Sequence, residues 1–438
     1  MRKIKSKKIV FRLILLLVVV IVIELISIPV FYYLNDNSLS KKQLHDYFLS
    51  LKKNNENIEI SPFDFTSEIV RDDVLHPYLG FVKDSDIEQI HYNNEFFVPI
   101  NTYGFLGDFP KDPSSYKIAI FGGSVAQELF LYSKNTLIEE LQRSPVFNGK
   151  KIEIASIAIS GMKQPQQLMA LNYFLSIGKF FDIVINLDGF NELVLPPCEN
   201  VVYKVAPSYP RSYRAYTSKS FSKKMLYLIS EVIRSKVNRI EYGTYFLSSP
   251  LRYSHFALSL YLVLSKMEYN KQLEFDKEVK NELVNRTLKN KISAQERGPD
   301  YAFSKPDEVI TYSSGIWYRT SVIMQQICKG NNFKYFHFLQ PNQYVKGSKV
   351  LTDWERNNAF ADKDYCYRQV VEFGYPSLIE HGKNLKRQGL NFHDLTGIFK
   401  DVPSDIYKDD CCHYNQVGND ILAKKIAEIV TSTPAITE

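Results

Sequence analysis

Lys117-Ile118-Ala119-Ile120-Phe121-Gly122-Gly123-Ser124 reads as a buried strand that stops at two glycines and turns at once into a serine. A continuous apolar run bounded by turn residues fits a strand of a parallel sheet covered on both faces. In such sheets ligands bind beyond the carboxyl ends of the strands, and glycines there permit backbone angles and close approaches that a Cβ would block. Ser124 stands where a nucleophile would be placed. The same residues also describe an ordinary strand-to-helix turn with a serine helix cap, so the rest of the chain has to decide.

Downstream, strand-like runs at 151–158, 182–187, 334–339 and 390–395 alternate with helix-like stretches such as 166–177, where Leu168, Leu171 and Leu175 share one face. A final helix at about 416–431 carries Ile421, Leu422, Ile426, Ile429 and Val430 on one side. The alternation predicts an α/β fold, a parallel sheet with helices on both sides, over residues 71–438. Residues 195–306 break the rhythm. They open with Pro196-Pro197, continue through basic and aromatic helix-like pieces (225–237, 255–267 and 275–288), and offer no clear strand. This is expected to be a helical insertion, either shaping access to the site or packing only.

The N-terminus reads Met1-Arg2-Lys3-Ile4-Lys5-Ser6-Lys7-Lys8, and from Leu13 to Leu34 the chain is apolar apart from Glu24, Ser27 and Pro29. That length can span a bilayer, and it ends in aromatics rather than in a small-residue cleavage site. The expectation is an uncleaved transmembrane anchor at 13–34 after a basic cytoplasmic stub at 1–12, with a stalk at 35–70 containing a short helix near 44–51. The chain's net charge of +6 resides almost wholly in Arg2, Lys3, Lys5, Lys7, Lys8 and Arg12, so the positive-inside rule places the body outside the cytoplasm. A near-neutral body argues against nucleic acid as a partner. Five cysteines, Cys198, Cys328, Cys366, Cys411 and Cys412, are too few and scattered for a disulfide scaffold and contain no Cys-x-x-Cys pair. Outside the cytoplasm one or two disulfides are compatible with this set, and Cys411 or Cys412 is expected to pair with Cys198 rather than with its neighbour.

A serine attacks a carbonyl only if a base takes its proton, a second group orients the base, and donors wait for the oxyanion. Near the C-terminus Asp409-Asp410-Cys411-Cys412-His413 places carboxylates just ahead of a histidine. In a tight turn Asp410 can accept from one ring nitrogen of His413 while the other faces the serine. Asp409 is the alternative orienter, and His393 beside Asp394 is a rival base. Two further strand ends, Ile159-Ser160-Gly161 and Asp188-Gly189-Phe190-Asn191, offer a backbone N–H at Gly161 and a side-chain amide at Asn191 toward the same sheet edge. Each block has a structural explanation by itself, as turn or cap; their joint occurrence in this order favours chemistry.

Gly122-Gly123-Ser124, Gly161, Gly189-x-Asn191 and Asp410-x-x-His413 resemble, in order and spacing, the four sequence blocks of the SGNH/GDSL hydrolases. The resemblance covers about residue 72 to the C-terminus apart from the insertion, and 101–105 and 338–344 carry the flavour of a membrane-anchored bacterial subgroup. It implies a three-layer α/β/α flavodoxin-like fold with Ser124 as nucleophile, His413 as base and Asp410 as orienting carboxylate. The oxyanion hole would comprise the N–H groups of Ser124 and Gly161 and the Asn191 side chain, with no metal or organic cofactor. Gly123 departs from the family, where many members have Asp before the serine.

The expected activity is that of a membrane-anchored extracytoplasmic serine esterase, acting through an acyl-enzyme on O-acyl (O-acetyl) esters of envelope glycans. The same triad could instead transfer the acyl group onto a polysaccharide. A noncatalytic anchored glycan-binding or polysaccharide-assembly subunit is the reading of a different class.

Overall fold

The computed structural model describes residues 2–34, 44, 73–85, 89–92, 96–211, 213, 223–289, 294–303 and 305–432. Except for Leu44, the expected stalk and its short helix lie outside the described residues. The chain divides into two compact units: residues 1–71 with 89–98 and 219–286, and residues 72–88 with 99–218 and 287–438.

In the first unit, α1 (Arg2–Leu34) is long and apolar enough to cross a membrane, with mean hydropathy 2.5 over Leu17–Leu34. Two small two-stranded sheets precede the main one: β1 (Asp73–His76) with β2 (Gly80–Lys83), which belongs to the second unit, and β3 (Gln89–Tyr92) with β4 (Phe96–Pro99), which belongs chiefly to the first.

The second unit is built on a five-stranded sheet. β5 (Tyr116–Gly122) leads into α2 (Ser124–Gln142), then β6 (Ile152–Ala158), α3 (Gln166–Ser176), β7 (Ile183–Asp188) and the short α4 (Phe190–Leu195). The long helices α5 (Lys223–Leu247) and α6 (His255–Lys289) follow, joined through a 3₁₀ turn at Pro250–Tyr253, and belong chiefly to the first unit. The chain then returns to the sheet through α7 (Pro306–Gly330), β8 (Lys334–Leu339), α8 (Asp353–Asn358), α9 (Cys366–Arg387), β9 (Phe392–Asp394) and α10 (Gln416–Ser432). All five strands are parallel, in the order β6-β5-β7-β8-β9. Every residue of β7 is buried, as a central strand covered on both faces requires. Of the helices, α2 packs with α10, while α9 packs with α4 and α7. The strands share one core with Trp317, Tyr375 and Tyr414.

The register matters for the site. Gly122 lies opposite Ala158 and Leu187, Asp188 opposite Leu339, and Leu339 opposite Asp394. The strands therefore end at one edge, and every loop that follows a strand emerges there.

The expected insertion takes a different outline. Among the described residues 195–306 contain no strand, yet the part that separates from the sheet unit is 219–286, while 195–218 and 287–306 group with the sheet. The two expected pieces at 255–267 and 275–288 are one continuous helix, α6, because nothing between them breaks helical geometry. In the first unit Phe246, Leu247, Ala257, Leu258 and Tyr261 of the α5–α6 hairpin form a small core with Phe31 and Leu44.

Candidate active site

Ser124 opens α2 directly after β5, and both preceding glycines are required by space. A Cβ on Gly122 would stand 2.2 Å from the carbonyl oxygen of Leu187, and one on Gly123 would stand 2.1 Å from Asn191 Nδ2. Glycine at position 123 thus has a local cause: the Asn191 amide occupies the volume that a side chain would need.

Ser124 Oγ lies 2.7 Å from His413 Nε2, across 289 residues of sequence. His413 Nδ1 lies 2.5 Å from Asp409 Oδ2. The carboxylate that meets His413 is that of Asp409, not the expected Asp410, and the reason is the shape of the turn. Asp409 Oδ1 accepts from the backbone N–H groups of Cys411, Cys412 and His413, which folds its carboxylate back onto the imidazole. Asp410 points outward, exposed, and contributes only its backbone oxygen, which accepts from Tyr344 Oη at 2.5 Å.

The turn is clamped from the neighbouring strand end. In the segment after β8, Gln343 Nε2 donates to Asp409 O (3.0 Å), Tyr344 Oη to Asp410 O, and Asn342 Nδ2 to Cys411 O (3.0 Å). Three consecutive side chains thus hold three consecutive carbonyls. The 338–344 segment stood out in the sequence, but nothing in its pattern indicated this role. Tyr414 Oη, donating to Pro341 O at 2.6 Å, completes the clamp.

The two remaining loops converge on Gly123. Asn191 Nδ2 donates to Met162 O at 2.9 Å, and Met162 O in turn lies 3.2 Å from where a Gly123 Cβ would be. A primary amide has two N–H donors, so Asn191 retains one beside Gly123 and Ser124. Gly161 adopts φ +82°, with Arg211 packed where its Cβ would project. Gln127, one turn into α2, receives the Ser160 N–H at 3.1 Å and fixes this loop.

Electrostatics favour a charged base. Burial alone would lower the His413 pKa, but the hydrogen bond to Asp409 and the negative charges of Glu128 and Asp409 outweigh it and push it up to about 9. Burial would raise the Asp409 carboxyl, yet its bonds with His413 and the backbone N–H groups hold it below the usual carboxylate range. Glu128 was missed in the sequence although it lies one helical turn beyond Ser124, where i and i+4 share a face. It is buried and pairs with Lys408 at 2.9 Å, linking α2 to the start of the histidine turn.

His393 is not part of this group: it stacks on Phe338, and burial depresses its pKa to about 4. A second Asp-His-Ser chain exists, with His337 Nε2 2.8 Å from Asp188 Oδ1 and Nδ1 2.7 Å from Ser321 Oγ. Trp317 also donates to Asp188, and His337 and Ser321 have no solvent exposure. This chain is sealed core structure.

The disulfide joins Cys198 to Cys366, not to Cys411 or Cys412, both of which are free thiols. It ties the turn after α4 to the start of α9, and the residues beside each cysteine meet as well: Tyr367 Oη donates to Glu199, which also holds Arg211 in a two-bond fork at 2.7 Å. Cys411, Cys412 and His413 offer ligand atoms within 4.8 Å of one another. Burial pushes the Cys412 thiol well up, and both imidazole nitrogens are engaged, so a metal ion bound there would have to take a nitrogen from Ser124 or Asp409.

No protein-family model matches this chain, and no curated protein matches it.

Proposed function

We propose that this protein is an SGNH/GDSL-type serine hydrolase with a flavodoxin-like α/β/α domain, held outside the cytoplasm by α1 as a single N-terminal span. The observation that carries the reading is the Ser124–His413–Asp409 relay at the carboxyl edge of a parallel sheet, with Gly161 and Asn191 beside it. The 2-1-3-4-5 strand order supports the flavodoxin-like assignment. The free Asn191 N–H and the backbone N–H groups at Ser124 and Gly161 are the oxyanion donors.

In this reading Ser124 Oγ attacks an ester carbonyl as His413 Nε2 takes its proton. Asp409 holds the ring so that Nε2 faces the serine and stabilises the imidazolium that forms. His413 then protonates the leaving alcohol, an acyl-enzyme remains, and water activated by the same imidazole releases the acid. The substrate class is an O-acyl, foremost O-acetyl, ester of an envelope glycan. A sugar hydroxyl in place of water would make the protein an O-acyltransferase.

The test is turnover of p-nitrophenyl acetate and of acetylated glycans by the full chain in detergent, beside Ser124→Ala. Loss of turnover in the variant supports the reading, and equal turnover by both proteins overturns it. Supplying an oligosaccharide acceptor and following acetyl gain by mass spectrometry distinguishes transfer from hydrolysis.

A further inference from the structure

α6 is two helices in one. From His255 to Ser265 it carries no Asp, Glu, Lys or Arg, whereas from Lys266 onward it is dense in charge. Phe256, Leu260 and Val263 within the apolar part, and Met267 just past its end, are 52%, 42%, 39% and 53% exposed. Their spacing puts them in one stripe along the helix. The opposite face, Ala257, Leu258 and Tyr261, is already buried in the core shared with Phe31 of α1. A water-soluble helix would carry polar residues on the side facing away from its core; this one presents large apolar ones.

The foot of α6 meets α1 inside the apolar span. Glu24 accepts from Ser254 Oγ at 2.8 Å, from the backbone N–H groups of His255 and Phe256, and lies 3.0 Å from His255 Nδ1. The carboxylate thus satisfies the first N–H groups of α6, where the helix dipole favours negative charge. His255 also packs against the rings of Phe31 and Tyr32. An acid in the middle of an apolar span is costly unless it has partners; here the partners come from the hairpin. Arg252, with its guanidinium over the Tyr253 ring, brings the opposite charge to the same end.

The dimensions agree. From Glu24 to Leu34 is about 15 Å along α1, and the uncharged part of α6 is about 15 Å long, each close to half of a hydrocarbon core of about 30 Å. The charged boundary falls at matching heights on both arms of the hairpin: Arg239 of α5 donates to Ser265 and lies 5.2 Å from the Tyr269 ring.

We infer that the α5–α6 hairpin is a re-entrant membrane element whose tip is inserted in the outer leaflet beside α1, with the Phe256–Met267 stripe facing lipid acyl chains. The inference rests on α1 spanning the bilayer, as proposed above, but not on the hydrolase chemistry. The insertion then makes the anchor a three-helix assembly rather than a single helix.

The full chain, reconstituted in phosphatidylcholine vesicles with dibrominated acyl chains, tests this. Tryptophan is placed singly by Leu260→Trp, Val263→Trp, Ile21→Trp and Leu273→Trp, and the signal of the parent protein is subtracted. Ile21 is an exposed position in α1, and Leu273 is an exposed position in the charged half of α6. Quenching at 260 and 263 of at least about half that at 21, with little at 273, is the expected result. Quenching at 21 with 260 and 263 behaving like 273 overturns the inserted hairpin and leaves the anchor standing. No quenching at 21 overturns both.

Discussion

Replacing Asp409 by Asn, with Asp410→Asn as its twin, puts the relay to a quantitative test. His413 rises from an ordinary 6.5 to about 9, which corresponds to about 3 kcal/mol of preference for the imidazolium. That preference is shared between Asp409 and Glu128, and losing most of it lowers kcat by about 10²-fold from charge alone. An amide also permits the wrong ring tautomer, an effect that reaches about 10⁴ in the Ser-His-Asp template. Asp409→Asn is therefore expected to reduce kcat by about 10² to 10⁴, and Asp410→Asn by less than about threefold, since its side chain does not touch His413. The assay is ester hydrolysis across pH, with the His413 ring followed by NMR as a readout that needs no turnover. The parent should gain activity as pH rises toward about 9 and the imidazole loses its proton, and Asp409→Asn should move that midpoint down. Stability runs the other way: the raised His413 pKa contributes stability that is present below pH 6.5 and is lost as pH rises through about 9. Equal damage from the two substitutions, or an unmoved midpoint in Asp409→Asn, would refute the assignment.

Three other outcomes are expected. Gly123→Ala must displace the Asn191 amide, so kcat should fall at least about 10²-fold, the scale of one oxyanion donor, while the melting temperature moves little; an unchanged kcat would detach Asn191 from the site. Tyr344→Phe removes the hydroxyl that holds Asp410 O, costing about 1 kcal/mol, and combined with Gln343→Ala it should lower kcat through loosening of the histidine turn; a double variant with full turnover would show the clamp to be dispensable. Peptide mapping without reductant should recover Cys198 linked to Cys366 while Cys411 and Cys412 are alkylated, and Cys198→Ser with Cys366→Ser should cost about 2–4 kcal/mol in denaturant unfolding; a Cys198 linkage to Cys411 or Cys412 would contradict the fold around α9.

The sheet was legible because its strands are continuous apolar runs ended by turn residues, and these limits nearly match β5 to β8. The edge where Ser124 meets His413 was legible for the same reason: parallel strands deliver their loops to one side. The choice between Asp409 and Asp410 was not, because it depends on which carboxylate collects the turn's own N–H groups, and both residues are aspartates. Likewise Cys366 lies 168 residues from Cys198, and only the packing of α9 brings it near. The partition of the insertion was hidden because α6 carries two opposite chemistries on one unbroken helix. Glu128 and the Asn342-Gln343-Tyr344 clamp work through the geometry of elements far apart in sequence, which no local pattern records.

If the proposed hydrolase reading holds, the distance between Ser124 and His413 along the chain also governs when chemistry can begin. A growing polypeptide carries its nucleophile early, but 289 residues must still be made before the imidazole that activates it exists. Until then the serine is an inert alcohol, and truncated or stalled products cannot attack esters. On that reading biosynthesis itself acts as the safety catch, released only when the last turn closes against the strand that carries its clamp.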